Sequence, residues 1–207
     1  MRLPPTPATT CIAAATVASF VLVALAGRTE EAYLFGGFVP ARIDGFILTG
    51  GLPIWLTPLT TTLLHGGFVH LIFNMLMLLF CGRMVEAVTG PIGLTILYVL
   101  GAYAAAAAQY FAFPYDASPM IGASGAISAV FGAYALLFGQ PRLFADHPAL
   151  GMAVNLLWLA AAWIGVQFLM GIAFSNMGMP IAIGAHIGGF LAGLALIRPL
   201  MMIRHPG

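Results

Sequence analysis

Charged side chains are scarce in this chain of 207 residues and make up only 6% of it. An ordinary soluble domain carries about 25% charged residues, whereas hydrophobic residues reach 61% here. A water-soluble fold of this composition would have to expose far more apolar surface than solubility permits. The composition therefore excludes a soluble globular protein and predicts an all-α membrane protein that crosses the bilayer several times.

Lysine is absent, and the seven basic residues are arginines spread along the chain. Because no cluster of basic residues occurs, nothing in the sequence points to a nucleic-acid partner. Cysteine is nearly absent as well: Cys11 and Cys81 stand alone in apolar surroundings, which argues against a disulfide or a metal site. We therefore expect no metal and no cofactor, and we interpret both cysteines as inert packing residues.

Uncharged intervals long enough to cross a bilayer recur along the chain. A spanning helix needs about 20 mainly apolar residues. The interval from Asp146 to Arg198 is long enough for two helices, and the stretch 175–180 is a turn by composition. The predicted helices cover roughly residues 11–27, 59–80, 92–113, 121–139, 150–172 and 182–202. No repeat or linker divides the chain, so we expect residues 1–207 to form one domain.

The first predicted helix has a competing interpretation as a signal peptide. Arg2, an apolar run and Ala24-Leu25-Ala26 before Gly27 match a leader with its cleavage site. However, the run from Cys11 to Gly27 is longer than the usual apolar core of a leader. Its removal would also put the two ends of the chain on opposite sides of the membrane. We therefore favour a retained helix.

The arginines also predict an orientation. With an inside N-terminus, the inner segments carry Arg2, Arg83, Arg142, Arg198 and Arg204, and the outer segments carry Arg28 and Arg42. This distribution agrees with the positive-inside rule, so both termini are expected in the cytoplasm. The Ala, Gly and Arg usage points to a bacterium, and the expected location is its inner membrane. Residues 28–57 then form a long outer loop whose apolar stretches 46–48 and 53–55 lie either in the membrane interface or in solvent.

Ser124 and His186 each lie in a glycine-rich apolar stretch, at the start of the fourth and the sixth predicted helix. Ionisable groups at membrane depth are costly and are functional candidates by default. The first turn of a helix has unpaired N–H groups and a partial positive charge, which suit a developing oxyanion. Since both residues are expected at similar depth, a Ser–His hydrogen bond is geometrically reasonable. The glycines expected to allow close helix packing are Gly122, Gly125, Gly188 and Gly189.

Both residues also have plainer interpretations. A serine in a membrane helix commonly bonds to its own backbone, and an intramembrane histidine can ligate haem or a metal, or relay protons. A metal would favour several convergent ligands, but the candidates spaced four apart are His70 and Asn74, and an amide is a poor ligand. The nucleophile elbow of α/β hydrolases does not fit either, because Ala126 stands where that motif carries glycine.

The run from His65 to Asn74 adds three polar side chains near the outer end of the second predicted helix. A spacing of four puts His70 and Asn74 on one face, from which both can donate to the oxygen of an attacked carbonyl. The backbone amide of Ser124 would act beside them. His65 is expected at the junction of loop and helix. One such group is often only a helix-to-helix hydrogen bond of about 0.6 kcal/mol, but three in ten residues favour a site.

The chain resembles the rhomboid family of intramembrane serine proteases through three motifs that occur in order. They are His65-x4-His70-x3-Asn74, Gly122-Ala123-Ser124-Gly125 and Ala185-His186-Ile187-Gly188-Gly189. The resemblance covers the chain from about Trp55 to the end of the sixth predicted helix. It implies the minimal six-helix form of the rhomboid bundle.

The resemblance also implies a role for each matched residue. Ser124 corresponds to the nucleophile and His186 to the general base, while His70, Asn74 and the Ser124 amide correspond to the oxyanion hole. Glu86 resembles the family's glutamate after the second helix, whose role is structural. No acid is placed in the sequence to orient His186, which agrees with the Ser–His dyad that the family uses.

The activity implied by the resemblance is cleavage of transmembrane segments of other proteins near the outer membrane surface. The partners are then transmembrane-helix substrates and the lipid bilayer. A non-catalytic chaperone relative is the alternative, although the intact Ser124 and His186 argue against it, and a small transporter lacks paired broken helices. Substrates are expected to carry helix-weakening Gly or Pro and to approach past the fifth helix, at a wall of Trp158, Trp163 and Phe168.

Overall fold

The computed structural model describes residues 5–139, 147–175 and 182–204. Within these ranges lie eight α-helices: α1 Pro7–Ala26, α2 Thr29–Gly36, α3 Thr57–Thr60, α4 Phe68–Met77, α5 Arg83–Ala112, α6 Ser124–Phe138, α7 Pro148–Ser175 and α8 Ile183–Arg204. Short 3-10 helices cover Pro40–Asp44 and Thr61–Leu63, and a π-helical turn covers Leu78–Gly82. The described residues form no β-strand, only an isolated bridge between Phe38 and Met120. The predicted all-α fold is confirmed.

Six apolar helical segments run through the described part of the chain. Four helices are long and apolar enough to cross a membrane: Pro7–Ala26, Phe68–Ala112, Ala149–Val166 and Ile183–Met202. The second of these, 45 residues long, is broken at Gly90 and so supplies two segments. The shorter apolar helix α6 is the sixth. The protein is therefore an integral membrane protein with a six-helix bundle.

Most of the predicted helix ends agree with the observed ones within about four residues, the usual uncertainty of such boundaries. The exception is the second helix, for which a continuous span over 59–80 is wrong at both ends. Gly67 has φ 152, which is not a helical conformation, so the helix begins at Phe68. At its other end the helix continues through the π-helical turn into α5. Of the predicted turn at 175–180, Ser175 is the last residue of α7, and residues 176–180 lie outside the described residues, as do Arg2 and Arg142.

The break inside α5 separates the second spanning segment from the third. Pro91 has no N–H and disfavours a helical conformation in the residue before it. Gly90 accordingly takes φ 76 and ψ 171. The side chain of Arg204 lies across this break, and its Nη1 donates to the carbonyl of Ala87 at 2.9 Å. The end of α8 therefore satisfies a carbonyl that the broken helix leaves free.

Glu86 joins α1 to the remainder of the bundle, at the same end of the molecule as the break at Gly90. Its carboxylate is buried and accepts hydrogen bonds from the N–H groups of Ala8 and Thr9, at 2.9 and 2.8 Å, and from the Thr9 hydroxyl at 2.6 Å. Those N–H groups belong to the first turn of α1, which has no acceptor within its own helix. A negative charge there is also favoured by the helix dipole. Glu86 thus caps a helix that is distant in sequence.

The centre of the bundle is α6, which packs against α5 and α8. Ten of its fifteen residues are buried, from Gly125 to Ala135. A helix of this length is about 22 Å long, shorter than the roughly 30 Å hydrocarbon layer. At least one end of α6 therefore lies inside the layer. The start of α6 is at what we call the loop side of the bundle, the end that holds residues 27–67 and 113–123.

The long loop predicted over 28–57 has structure of its own, namely α2 and the first 3-10 helix. It is held to α5 by two tyrosines: Tyr103 donates to the carbonyl of Trp55 at 2.9 Å, and Tyr110 donates to the Asp44 carboxylate at 3.1 Å. Ile47 and Trp55 are 86% and 65% exposed. The loop side therefore presents large apolar side chains on a fixed framework.

Candidate active site

Ser124 and His186 meet at the loop side, where the helices that carry them begin. Ser124 is the first residue of α6 and is half-buried, and His186 lies in the first turn of α8 and is only 5% exposed. The distance from His186 Nε2 to Ser124 Oγ is 2.9 Å. That is hydrogen-bond distance for a nucleophile and its general base. The imidazole is therefore able to take the proton of the hydroxyl.

The residues that lead into α6 are fixed by two earlier parts of the chain. The backbone of Met120 pairs with that of Phe38 in both directions, at 3.0 and 2.8 Å. Thr61 binds the same segment twice, because its hydroxyl donates to the carbonyl of Met120 and its carbonyl accepts the N–H of Gly122, the latter at 2.9 Å. Ser124 therefore follows a segment whose backbone cannot shift freely.

His65 supports this segment as an acceptor. It lies between the second 3-10 helix and α4, is almost fully buried, and its Nε2 faces the N–H of Ala123 at 3.5 Å. Its backbone carbonyl accepts the Tyr33 hydroxyl at 2.6 Å. Burial and the neighbouring Glu30 raise the pKa of Tyr33, so that its hydroxyl stays protonated and able to donate. Because Nε2 accepts here, it is not the nitrogen that could donate to an oxyanion, and this contact lets His65 support the backbone that leads into α6.

Gly122 provides the space that brings His70 to the serine. Its φ is 115, and a Cβ on this residue would stand 2.7 Å from Cε1 and 2.8 Å from Nε2 of His70. The same point is 3.6 Å from Ser124 Oγ. Both the backbone conformation and the contact with the imidazole require glycine. His70 Nε2 and Ser124 Oγ therefore face a common space.

The proton of His70 is directed into that space. Its Nδ1 lies 3.4 Å from the N–H of Gly66, which donates towards it. In a neutral imidazole, one nitrogen accepts and the other carries the hydrogen. The contact with Gly66 therefore assigns the hydrogen to Nε2, the atom beside the Gly122 backbone.

Asn74 lies one turn after His70 on α4 and is buried. Its Nδ2 donates to the carbonyl of His70 at 3.0 Å. The amide group has two N–H donors, so one remains free for another acceptor. Of the two predicted side-chain donors, His70 borders the space beside Ser124, whereas Asn74 uses half of its donor capacity on its own helix.

The predicted packing glycines lie where helix backbones approach most closely. A Cβ on Gly189 would overlap the carbonyl oxygen of Gly125, and one on Gly188 would overlap the side chain of Ala108. Gly125 itself faces the Cβ of Ala105, at 2.7 Å from its own Cβ position. Glycine at these positions allows α8 to lie against α5 and α6. This close approach brings His186 within reach of Ser124.

Gln109 is a site residue that sequence reasoning missed. It is buried in the alanine-rich part of α5, and its Oε1 accepts the N–H of Ala185 at 3.3 Å. Ala185 directly precedes His186, so this contact caps the first turn of α8. The available signal was an isolated amide within an apolar helix, a common means of joining membrane helices.

The prediction that Trp158, Trp163 and Phe168 form one exposed surface on α7 is wrong for Trp163. Trp158 and Phe168 are 69% and 52% exposed, but Trp163 is 5% exposed. Its ring packs against Phe131 of α6 at 5.1 Å between centroids. Five residues along an α-helix rotate a side chain by about 140°, so Trp158 and Trp163 cannot share a face. Trp163 belongs to the core, as does its partner Ser128, which sequence reasoning also missed.

Across residues 5–139, 147–175 and 182–204, no three His, Cys, Asp or Glu side chains come together as a possible metal-ligand set. Asp116, the acid closest in sequence to Ser124, accepts the N–H of Ser118 at 2.8 Å within its own loop. The polar groups that the site does contain are the Ser124 hydroxyl, the imidazoles of His70 and His186, and the Asn74 amide.

Comparison with known proteins identifies similar chains. The profile of the rhomboid domain matches residues 54–203. Rhomboid protease GlpG of Pectobacterium atrosepticum is 29% identical over 192 residues, which are 92% of this chain and 61% of that protein. Rhomboid protease GluP of Bacillus subtilis is 31% identical over 174 residues, 83% of this chain and 31% of that protein. This chain therefore spans less than two thirds of the length of either relative.

Proposed function

The chain belongs to the rhomboid family, and from this premise we propose that it is an intramembrane serine endopeptidase. We propose that it cleaves transmembrane segments of other membrane proteins near the outer membrane surface. We also propose that residues 1–207 of this chain form one domain. The observation that carries the proposal is the 2.9 Å contact between Ser124 Oγ and His186 Nε2 at the start of two apolar helices. Relatives named as rhomboid proteases support the same reaction class.

In the proposed reaction, His186 Nε2 accepts the proton of Ser124 as Oγ attacks the carbonyl carbon of the scissile peptide bond. The carbonyl oxygen becomes an oxyanion. As the C–N bond breaks, the imidazolium returns its proton to the leaving nitrogen, and an acyl-enzyme remains on Ser124. A water molecule then loses a proton to His186 as its oxygen attacks the acyl carbon. As the C–Oγ bond breaks, the imidazolium returns that proton to Ser124 Oγ and the carboxylic product leaves. No other acid or base is needed for either half-reaction.

Three donors are proposed to stabilise the oxyanion. The N–H of Ser124 is at the first position of α6, where helical N–H groups have no intrahelical acceptor. His70 contributes Nε2–H, and the position of Nε2 beside Gly122 supports this role. Asn74 contributes its remaining amide hydrogen. Donors fixed in place before the reaction are usually the largest single contribution to acyl-transfer catalysis.

We also propose the arrangement in the membrane. Both termini are assigned to the cytoplasm of a bacterial inner membrane, which puts the loop side and the site at the outer face. A substrate helix is proposed to approach laterally past α7, where Trp158 and Phe168 are exposed to lipid. Because the carbonyls of a regular helix are hydrogen-bonded, the substrate must unwind locally before Ser124 reaches its backbone.

The experiment that tests the proposal uses purified protein in detergent with a fluorophosphonate probe and a transmembrane reporter substrate. We expect covalent labelling at Ser124, and loss of both labelling and cleavage in Ser124→Ala and His186→Ala. Ser118→Ala is the matched control, since Ser118 is an exposed loop serine near the site. A metal chelator should leave the native activity unchanged. Binding of helical clients without labelling of Ser124 would favour the non-catalytic chaperone instead.

A further inference from the structure

α7 is buried at very few positions. Among the α7 residues whose burial the structure describes, only Gly151 and Trp163 are buried. Among those residues, Trp163 is therefore the one large side chain that α7 inserts fully into the bundle. It does so beside α6, at the level of the second turn of that helix, where Phe131 packs against its ring.

Two hydrogen bonds connect this indole to the serine of the site. Trp163 Nε1 donates to the Oγ of Ser128 at 2.7 Å, and that Oγ donates to the carbonyl oxygen of Ser124 at 2.8 Å. The direction of both bonds follows from the groups themselves, because an indole N–H only donates and a carbonyl only accepts. The Ser128 hydroxyl accepts the first bond and donates the second, so each bond polarises the other.

Ser128 occupies the point where three helices meet. It is fully buried, one turn after Ser124 on α6. Its Cβ lies 3.1 Å from the Cβ position of Gly189, which is three residues after His186 on α8. A side chain at this point therefore contacts the turns that carry both Ser124 and His186.

We infer that Trp163 is a positioning residue, and that through Ser128 it holds the first turn of α6 in the register that puts Ser124 Oγ beside His186. This inference rests on the proposed role of Ser124 as the nucleophile. Trp163 is too deep in the helix contact to be part of the lipid-facing surface, and it touches the reacting groups only through Ser128. The docking of α7 is thereby linked to the reactivity of the serine.

The size of the effect follows from the loss of one buried hydrogen bond. Such a bond contributes enough to change a rate between about threefold and about tenfold if the transition state depends on it fully. Trp163→Phe removes the donor and keeps an aromatic ring against Phe131. Ser128→Ala removes the hydroxyl and keeps the Cβ. We expect each variant to lose reactivity by this factor, with kcat lowered and KM unchanged.

The test measures the rate of fluorophosphonate labelling of Ser124 together with kcat and KM on the reporter substrate. Leu157→Ala is the control, because Leu157 is on the same helix, is 71% exposed and is not among the residues placed on the substrate path. It should label at the wild-type rate. The double variant of Trp163→Phe and Ser128→Ala should be no slower than the slower single variant, because both changes break the same connection. The indole N–H resonance of Trp163 should shift in Ser128→Ala, which reports the bond without reference to activity.

The inference is overturned if Trp163→Phe labels at the wild-type rate, if the two losses multiply in the double variant, or if the Trp163 resonance does not respond to Ser128→Ala. Should Trp163→Phe fail to fold, Ser128→Ala alone decides the outcome by its labelling rate. A wild-type protein that is not labelled at Ser124 would contradict the proposed function itself. The two failures are thus distinguishable in one experiment.

Discussion

Replacement of Gly122 by alanine should inactivate the site through His70. The new Cβ would stand 2.7 Å from Cε1 and 2.8 Å from Nε2 of the imidazole, closer than a Cβ normally approaches another atom. The ring has to move away from the common space that it shares with Ser124 Oγ. In addition, φ at this position is 115, a conformation that costs a residue with a Cβ about 1–3 kcal/mol. The first consequence displaces the imidazole on α4, and the second strains the backbone that leads into α6.

The displaced imidazole no longer offers its donor to the oxyanion. Loss of one such donor lowers kcat by about 10² to 10³. We therefore expect Gly122→Ala to lower kcat by at least about 10², and to lower the unfolding temperature by the amount that corresponds to the backbone strain. Substrate binding should change little, since the remaining binding surface is untouched. The assay is cleavage of the transmembrane reporter at several substrate concentrations, with thermal unfolding measured in the same detergent.

Two comparisons make this prediction specific. Gly165→Ala on α7 is the matched control, because a Cβ there meets nothing within 4 Å and should leave kcat unchanged. In a His70→Ala background, Gly122→Ala should cause little further loss of kcat, because the clashing ring is already absent. The reasoning is refuted if Gly122→Ala retains wild-type kcat, or if its effect is the same with and without the imidazole.

Three further predictions concern other parts of the molecule. His70→Ala and Asn74→Ala should each lower kcat by up to about 10² to 10³ without abolishing it, because other donors remain; a change confined to KM would assign them to substrate binding. Glu86→Gln should destabilise the fold by about 1.5–3 kcal/mol in thermal unfolding, because the charge is lost and one acceptor oxygen becomes an NH2 group that cannot accept from the start of α1. Glu30→Gln is the control, because Glu30 is exposed. Equal stability of the Glu86→Gln and Glu30→Gln proteins would exclude the capping role. Substrates in which a helix-weakening Gly or Pro is changed to Leu should be cleaved more slowly, since Gly costs a helix about 1 kcal/mol and Pro about 3 relative to Ala; equal cleavage would show that helix stability does not govern selection.

The sequence alone determines the membrane-spanning architecture, because hydrophobic length and helix interruption are local properties. Gly90-Pro91 ends one helix wherever the chain lies, and an apolar run must form a helix in the bilayer. It also determines that Ser124 and His186 each lie in the first turn of a helix, since the glycine-rich stretches around them are part of the same local pattern. The fold class and five of the six predicted helices were accessible in this way.

The tertiary structure alone decides which side chains meet across the bundle, because that depends on the rotation and depth of each helix relative to its neighbours. Trp163 faces the core rather than lipid since α7 is rotated so that its indole reaches Ser128. His65 accepts from Ala123, and Gln109 from Ala185, across 58 and 76 residues of sequence. No local pattern specifies such partners: a polar group in an apolar helix must find a partner, but packing chooses which one.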